Sequence, residues 1–274
     1  MSKVFRKIQD RYRYSVILLK QLVITDFKLR YQGSALGYLW TLLRPLFLFV
    51  ILYIVFTKFF RFGEGVPHYP VYLLTGIVLW NFFAEVTNNG VGSIVDRGDL
   101  IRKLNFPKYV IVLSGAFSAL INLTLNMVVI AVFLVINGVD IRPVIVLAPL
   151  ILLELFVFSM AIAFFLSAVF IKLRDVNYIW EVLMQGLFYA TPIIYPLSEV
   201  SNRWPKAAEI LLINPVAQTI QDFRYVVVTT RSDTIWAIGS SSFIMILPIL
   251  IVLVSLTVSI LYFRKRSPYF AEEV

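Results

Sequence analysis

The chain has 274 residues, of which 59% are apolar and only 15% are charged, and its mean hydropathy is +0.83. These values lie outside the balance of a soluble globular domain and predict an integral membrane protein. The sequence has no cysteine, which excludes a disulfide framework, a thiolate metal site and a cysteine nucleophile. The single histidine, His68, lies in a Gly- and Pro-rich loop, so we interpret it as a loop residue and expect no metal site.

The first 35 residues predict a cytoplasmic interface segment. Apolar residues recur at helical spacing while basic residues occupy the other faces, which is typical of an amphipathic helix in the headgroup plane. The apolar set is Val16, Leu19, Val23 and Phe27, and the basic set is Arg13, Lys20, Lys28 and Arg30. This helix either anchors the chain to the membrane or docks a cytoplasmic partner, and the two roles are compatible. No signal peptide is expected, because basic residues interrupt the segment throughout.

Residues 36–274 predict a single transmembrane domain. Residues 109–139 and 234–263 carry no charged side chain, and about 20 apolar residues suffice to cross roughly 30 Å of hydrocarbon. We predict an all-α fold with six transmembrane helices, at about 36–60, 70–90, 109–136, 143–171, 176–195 and 235–263. The net charge is +9, and most basic residues fall in the segments that would then be cytoplasmic. The positive-inside rule therefore predicts that both termini are cytoplasmic, and it favours a membrane over a nucleic-acid partner.

Two connecting segments depart from a plain bundle of spans. Residues 93–107 mix both charge signs with apolar residues, which suits either a short helix that contacts another protein or a solvated connector. Residues 191–228 contain four prolines, and they divide pieces too short to cross a bilayer. We predict re-entrant helices there, between spans five and six, that form an outer gate. An ordinary extracellular loop is the alternative.

Charged residues within or near the spans are functional candidates, because burying them in lipid is costly. They are Arg44, Glu85, Glu154 and Glu181. Arg44 lies near the inner interface, where it either extends to the headgroups or attracts a lipid pyrophosphate. Glu154 is the deepest of the four by our boundaries. A proton relay would need a chain of carboxylates, and none is evident.

Aromatic residues make up 15% of the chain, and many lie in or at the ends of spans. Interfacial belts explain those at the ends. Rings inside the spans could instead provide contacts for sugars in a channel. The candidates for a glycan channel or gate are Tyr38, Trp40, Tyr53, Phe56, Trp80, Tyr189 and Tyr195, together with Pro192 and Pro196.

The sequence has no G-x-x-x-x-G-K-[ST] motif, so this chain has no phosphate cradle with which to hydrolyse ATP alone. It also has no Ser-His-Asp set and no metal cluster, which favours transport over catalysis. A membrane-embedded glycosyltransferase or ligase would need loop carboxylates or a metal motif. A proton-coupled secondary transporter, with Glu154 and Glu85 as its relay, is the other alternative.

Several motifs occur in an order that resembles a known family. They are Asp26-Phe27-Lys28-Leu29-Arg30-Tyr31, Leu36-Gly37-Tyr38-Leu39-Trp40 with Arg44-Pro45, Arg174-Asp175, Thr191-Pro192-Ile193-Ile194-Tyr195-Pro196, and Asn214-Pro215 leading to Phe223-Arg224. Together they resemble ABC-2 type permeases that export bacterial polysaccharides such as O-antigen, teichoic acid or capsule. The similarity covers nearly the full chain.

The resemblance implies a homodimer in the bacterial inner membrane that binds two copies of a separate ATPase subunit and moves undecaprenyl-linked polysaccharide out of the cytoplasm. ATP and Mg²⁺ would belong to that subunit, and this chain would hold no cofactor. The implied ATPase-coupling residues are Asp96, Arg97, Asp99, Leu100, Arg102, Phe106, Arg174 and Asp175. Arg30 and Arg44 would form a basic rim for the lipid pyrophosphate. Which glycan is moved, and whether it is flipped or threaded, stays open.

Overall fold

The computed structural model describes residues 3–34, 36–59, 65–104 and 106–274, and for residues 3–12, 27, 30, 31 and 58 it describes the backbone only. Every regular element in these ranges is helical. The α-helices are α1 (Lys3–Tyr31), α2 (Trp40–Ile54), α3 (Tyr69–Gly92), α4 (Gly98–Lys103), α5 (Tyr109–Ile136), α6 (Ala148–Phe170), α7 (Val176–Ala190), α8 (Leu197–Ser201), α9 (Pro205–Leu212), α10 (Pro215–Val227), α11 (Ile235–Ile238), α12 (Ser242–Arg266) and α13 (Phe270–Glu273). Turns of 3-10 helix precede α2 (Gly37–Leu39), α4 (Val95–Arg97), α6 (Pro143–Leu147) and α13 (Ser267–Tyr269), and a π-helical turn (Val55–Phe59) extends α2.

Five helical segments of the described chain are long and apolar enough to cross a membrane. They are Gly37–Thr57, Tyr69–Gly92, Tyr109–Ile136, Pro143–Phe170 and Ser242–Glu273. The predicted all-α membrane architecture is therefore confirmed, and the protein is a multi-pass membrane protein.

The predicted crossing at 176–195 is different, and a count of six spans is not confirmed. Helix α7 has 15 residues, which is about 22 Å at about 1.5 Å per residue, short of the roughly 30 Å hydrocarbon core. It ends at Ala190, and the next residue, Thr191, adopts an extended backbone (φ −88°, ψ 135°), because Pro192 disfavours a helical conformation in the residue before it.

Helix α3 is the centre of the bundle and packs against α2, α5, α6, α7 and α10. In the most apolar 18-residue stretch of α3, 78% is buried inside the protein. The corresponding share is 11% in the first of the five membrane-crossing segments and 17% in the last. This difference explains why α3 is also the least apolar of the five segments. A helix surrounded by protein can carry polar side chains that a helix facing lipid cannot.

The predicted span at 235–263 is divided into α11 and α12. Gly239 leaves the helical conformation (φ −62°, ψ 125°), and Ser241 starts α12 as an N-cap whose Oγ accepts a hydrogen bond from the Ile244 backbone N–H at 3.4 Å. Serine is favoured at this position because it satisfies a backbone donor that the first turn leaves free. The long helix therefore begins at Ser242.

The region predicted to be re-entrant contains a pair of short helices, α9 and α10, joined at Ile213 and Asn214. Asn214 Oδ1 accepts the Val216 backbone N–H at 3.0 Å and so caps α10, and Pro215 occupies its first turn. All of α10 except Tyr225 is buried, against α3 and α6. Short helices at membrane depth must be enclosed by protein, and the burial of α10 meets this requirement. That α9 and α10 re-enter the bilayer stays a prediction.

The end of the bundle opposite α9 and α10 is formed by α1, α4 and α13. Leu18, Leu19 and Leu22 of α1 pack against the core, and α1 lies along α5. Its exposed face carries Val16 and Ile17. The helix predicted from the sequence is therefore present and begins earlier, at Lys3.

Candidate functional site

The predicted coupling segment forms a 3-10 turn followed by the six-residue helix α4, with charged side chains outward and apolar side chains inward. Asp96, Asp99 and Arg102 are exposed, and Leu100 is half-buried. Ile101 and Phe106 are buried, at 4% and 3% exposure. Asp96, Asp99 and Arg102 are thus available to a partner, whereas Phe106 anchors the loop to its own chain. Asn105 lies outside the described residues.

Arg97 points into the permease instead of outward. Its Nη2 contacts both carboxylate oxygens of Asp26 in α1 at 2.5 Å, and its Nη1 donates to Ser114 Oγ at 3.1 Å and to the Ile111 carbonyl at 3.4 Å. One guanidinium therefore ties α1, the coupling turn and α5 together. A forked guanidinium suits this role because it can donate to several acceptors at fixed geometry. Asp26 belongs to the first sequence motif, but its partner could not be read from the sequence.

The C-terminal tail lies over the coupling helix. Val274 Cγ1 is 2.4 Å from the position that a Cβ on Gly98 would take, and the Val274 carbonyl accepts a hydrogen bond from Arg102. Glu273 pairs with Arg266 at 2.7 Å and lies 4.0 Å from Lys172. The tail thus links α12, α4 and the connection between α6 and α7.

The second predicted coupling position is at that connection. Lys172, Leu173, Arg174 and Asp175 are all exposed, and Leu173 has 61% of its surface free. Arg174 lies over the Phe170 ring at 5.1 Å, which holds the cation near the helix end. Together with α4 and α13, this loop forms one charged surface, which we call the coupling face: Asp96, Asp99, Arg102, Lys172, Arg174 and Asp175.

Arg44 and Trp40, predicted as rim and channel residues, both line a cavity of about 820 Å³ between α2, α3 and α5. Both side chains are exposed. Glu85 lies in the wall of the same cavity and accepts a hydrogen bond from Asn122 Nδ2 at 2.7 Å. Three residues predicted separately therefore meet at one place. The side chain of Arg30, the other predicted rim residue, lies outside the described part of the chain.

The remaining predicted aromatic residues do not converge within one chain. Trp80 is buried between Phe83 and Phe188, with ring centroids 5.7 Å from each, so it serves as core here. Tyr53 stacks on Phe49 at 5.7 Å, and Phe56 packs beside the core. The exposed ones are Tyr38 at 50% and Tyr189 at 70%. Their roles in a glycan path stay predictions.

The glutamates predicted as membrane charges have different surroundings. Glu154 of α6 faces Gln218 and Asp222 of α10. Glu181 is exposed on α7 and accepts a hydrogen bond from Asn177 at 3.0 Å, one turn away. Among the described residues, the contacts given above for Glu85, Glu154 and Glu181 are made with α5, α10 and α7, respectively. This arrangement does not by itself build a relay.

Sequence reasoning missed the role of Arg224, which is fully buried in α10. Its guanidinium donates to the backbone carbonyls of Tyr72 (2.9 Å), Pro192 (2.6 Å) and Ile193 (2.7 Å), and it lies 3.6 Å from the Tyr72 ring centroid. Tyr69 of α3 adds a hydrogen bond to the Ile194 carbonyl at 2.8 Å. We call this set the arginine clamp.

The arginine clamp explains how residues 191–196 exist without helical hydrogen bonds. No helix satisfies the carbonyls of residues 192–194. Those of Pro192 and Ile193 accept hydrogen bonds from the buried Arg224, and that of Ile194 accepts one from Tyr69. Pro192 and Pro196, predicted at the gate, are buried within this packing and expose no surface of their own to a path. The signal in the sequence was a short polar stretch, Gln221 to Arg224, in the middle of an otherwise largely apolar region.

A second polar contact holds α9 to the segment before α12. The Ser240 backbone N–H donates to Glu209 Oε1 at 2.5 Å, and this hydrogen bond lowers the pKa of the Glu209 carboxyl below its usual value. The carboxylate therefore stays ionised at neutral pH.

Comparison with known proteins assigns the family. The sequence profile described as "ABC-2 type transporter" matches residues 17–228, from the middle of α1 to just after α10. The chain belongs to the ABC-2 type transporter family. The match therefore includes the second half of the interface helix, the coupling turn, the cavity and the arginine clamp, and it confirms the resemblance seen in the motifs.

Relatives within this ABC-2 family carry a more specific description. The chain is 29% identical over 221 residues to the O-antigen export system permease protein RfbA of Myxococcus xanthus, covering 81% of this chain and 84% of that protein. It is 30% identical over 220 residues to a protein of the same description from Klebsiella pneumoniae, covering 79% and 83%. In each comparison, the similarity thus extends over most of this chain and most of the relative.

Proposed function

We propose that this ABC-2 permease is the membrane subunit of an ATP-driven exporter for lipid-linked polysaccharide of the O-antigen type. In this proposal, two copies of the chain form the path through the inner membrane, with both termini in the cytoplasm. Two copies of a separate ATPase bind the coupling face. The carried substrate is a glycan on an undecaprenyl pyrophosphate lipid.

The observation that carries the proposal is the near full-length similarity to O-antigen export permeases. The structure is consistent with it in two respects. A compact charged surface is available for another protein, and the sequence has no Walker phosphate cradle, which fits a separate ATPase chain as the source of energy.

The proposed energy transfer runs through the coupling face. ATP changes the permease only if the ATPase binds its two conformations with different affinity. Movement of α4 would act on α1 through Arg97 and Asp26, and on α12 through the C-terminal tail. The first connection starts in the turn directly before α4, and the second runs from Arg102 through the tail to Arg266, so a displacement of α4 reaches two other helices without unfolding the bundle.

The proposal is tested by co-purifying the chain with its ABC ATPase partner and measuring ATP hydrolysis in proteoliposomes. We expect no hydrolysis by the permease alone and hydrolysis that rises when lipid-linked polysaccharide is added. Depletion of the permease in cells should leave that lipid-linked polymer on the cytoplasmic side. Hydrolysis by the isolated chain, or export driven by a proton gradient without the ATPase, would refute the proposal.

Charge reversal on the coupling face should separate hydrolysis from export. In Asp99→Lys with Arg102→Glu, we expect export to fall at least about tenfold while the melting temperature of the permease stays within about 2 °C, because exposed charges contribute little to stability. Surface polysaccharide and ATP hydrolysis are measured together. The matched control is Asp140→Lys, an exposed residue at the other end of α5. Equal export by the double variant and the control would contradict the assignment.

A further inference from the structure

A cluster of polar side chains joins α6, α10 and α11. Glu154 of α6 faces Gln218 and Asp222 of α10. Gln218 Nε2 donates to Asp222 Oδ2 at 2.6 Å, and Trp236 Nε1 of α11 donates to the same oxygen atom at 3.1 Å. The side chains of Gln218 and Asp222 are buried, at 2% and 8% exposure. We call Glu154, Gln218, Asp222 and Trp236 the carboxyl cluster.

The carboxyl cluster has more hydrogen-bond acceptors than donors. Glu154 Oε1, Gln218 Oε1 and Asp222 Oδ1 are buried and have no hydrogen-bond partner among the described residues. An ionised carboxylate can only accept hydrogen bonds, so two ionised groups would leave all three oxygen atoms unsatisfied. Buried polar atoms in folded proteins are nearly always paired, because an unpaired one retains the cost of its removal from water. The cluster therefore lacks a donor.

No described cation pairs with either carboxyl group of the cluster. The groups that act on Glu154 and Asp222 are Gln218, Trp236 and the carboxyl groups themselves. Two like charges would therefore face each other without a counterion. In the low dielectric constant of a protein interior, such a pair is strongly disfavoured.

The charged and titratable side chains on the elements around the cluster bind other partners. They are Arg224 and Tyr69, which bind carbonyls in the arginine clamp, Tyr72 with Gln221, Glu85 with Asn122, Tyr195 with the Ala190 carbonyl, Glu209 with Ser240, Asp233 with Ser201 and Arg142 with the Tyr225 carbonyl. Lys206 of α9 is exposed, and α12 has no charged residue before Arg264. These groups leave the charge of the cluster to be settled within it.

A proton is the occupant that fits the carboxyl cluster. The three unpaired oxygen atoms have essentially no accessible surface, so neither a water molecule nor a metal ion has room beside them. A proton needs no such room, and on either carboxyl group it turns an acceptor into a donor. It also removes one of the two like charges. Two carboxyl groups that share a site retain one proton for this reason.

We propose that Glu154 and Asp222 share one bound proton at neutral pH, and that this proton fastens α10 to α6 beside the Gln218 amide. The proton belongs to the pair and not to one residue. Its loss would leave two carboxylates facing each other across the contact between the two helices, and α10 would loosen. The proposal does not depend on which substrate is exported, so the proposed function is tested separately.

The sign of the expected pH effect follows from where the proton is bound. In the unfolded chain both carboxyl groups are ionised above about pH 5. The folded protein holds one proton more, so its stability decreases as the pH rises through the range in which that proton leaves. Glu154→Gln supplies a donor without a charge. This variant reproduces the protonated state and should remove the decrease.

The first test measures the melting temperature of the full-length permease in detergent between about pH 6 and about pH 9. The wild type is compared with Glu154→Gln, and Glu199→Gln is the matched control because Glu199 is exposed. We expect the wild type and the control to lose at least about 3 °C more than Glu154→Gln over this range. Asp222→Asn should behave like Glu154→Gln, and it serves in its place if Glu154→Gln does not fold.

The second test detects the proton directly by infrared absorption. A protonated carboxyl group has a carbonyl stretching band that a carboxylate lacks. At neutral pH we expect this band in the wild type and in Glu199→Gln, and we expect the double variant Glu154→Gln with Asp222→Asn to lose it. A role of the two side chains in packing alone would not produce the band.

Three results would overturn the inference. The first is the absence of the band in the wild type, or its persistence in the double variant, since the pair would then hold no proton. The second is an equal pH dependence of melting in the wild type, Glu154→Gln and Asp222→Asn. The third is a melting temperature that rises with added Na⁺ or Ca²⁺ in the wild type but not in Glu154→Gln, since the pair would then bind a metal cation instead.

Discussion

At the scale of single residues, Arg224 joins α10 to α3 and to the non-helical segment after α7. It places a full charge inside the protein, where an unpaired charge would be strongly destabilising. No carboxylate pairs with it in the described residues, and three backbone carbonyls and an aromatic ring do so instead. This arrangement requires the close approach of α3, and Gly76 permits that approach.

Gly76→Ala should release the arginine clamp. A Cβ at Gly76 would lie 2.2 Å from Arg224 Nη2 and 3.2 Å from the Ile193 carbonyl oxygen, so the guanidinium must move away from its acceptors. We expect a loss of about 1–3 kcal/mol in the free energy of unfolding, as for other overpacked cores. Thermal unfolding in detergent measures it.

Gly186→Ala in α7 is the matched control for this prediction, since a Cβ there meets nothing within 4 Å. It should be neutral or stabilise the protein by up to about 1 kcal/mol, because alanine favours a helix over glycine. Equal destabilisation by the two substitutions would contradict the role assigned to Gly76.

At the scale of helices, the contact between α1 and the coupling turn converts an amphipathic surface helix into part of the bundle. The Asp26 and Arg97 side chains are only 21% and 24% exposed, so their attraction is less screened than that of a surface pair. Packing of α1 on α5 places these groups together, and the ion pair then sets the position of the helix along its length.

A double-mutant cycle on Asp26→Ala and Arg97→Ala should show a coupling energy of about 1–2 kcal/mol, because the two groups form one hydrogen-bonded network. The exposed pair Glu199 and Arg203, 3.7 Å apart, should show at most about 0.5 kcal/mol. Thermal unfolding gives both values, and the rate of proteolytic cleavage within α1 reports its detachment. Additive effects of Asp26→Ala and Arg97→Ala would show that the pair does not position α1.

At the scale of the whole molecule, the C-terminal tail covers one end of the helix bundle. The orientation predicted from the sequence places this end in the cytoplasm. Phe270 is fully buried, with its ring 5.2 Å from that of Phe263, which in turn lies 5.0 Å from Phe164. This row of aromatic rings joins α6, α12 and α13. The tail that it holds in place covers Gly98 of α4.

Phe270→Ala should therefore affect both stability and coupling. We expect a loss of about 3–5 kcal/mol in the free energy of unfolding, as for other buried phenylalanines, and a lower ratio of export to ATP hydrolysis. The neighbouring Tyr269 is 52% exposed, so Tyr269→Ala should change unfolding by less than about 1 kcal/mol and leave that ratio unchanged. A stable, fully coupled Phe270→Ala protein would refute the structural role of the tail.

The sequence by itself determined the membrane class and most of the helices. Long apolar stretches have one stable outcome in a bilayer, a hydrogen-bonded helix, and so the segments at 109–136 and 143–171 were predicted within a residue of their observed ends. The prolines likewise predicted the interruption after Ala190. Motif order predicted the family, which the profile match confirms.

Only the tertiary structure decided what the polar residues do. Arg97 and Asp96 are neighbours with similar surroundings in the sequence, yet one binds Asp26 inside the bundle and the other is exposed. The sequence predicts both Trp80 and Trp40 as aromatic residues of a channel, but Trp80 is buried in the core whereas Trp40 is exposed. The reason is physical: helical periodicity specifies which residues share a face, but the free energy of a charge or a ring depends on what the neighbouring helices bring to that face.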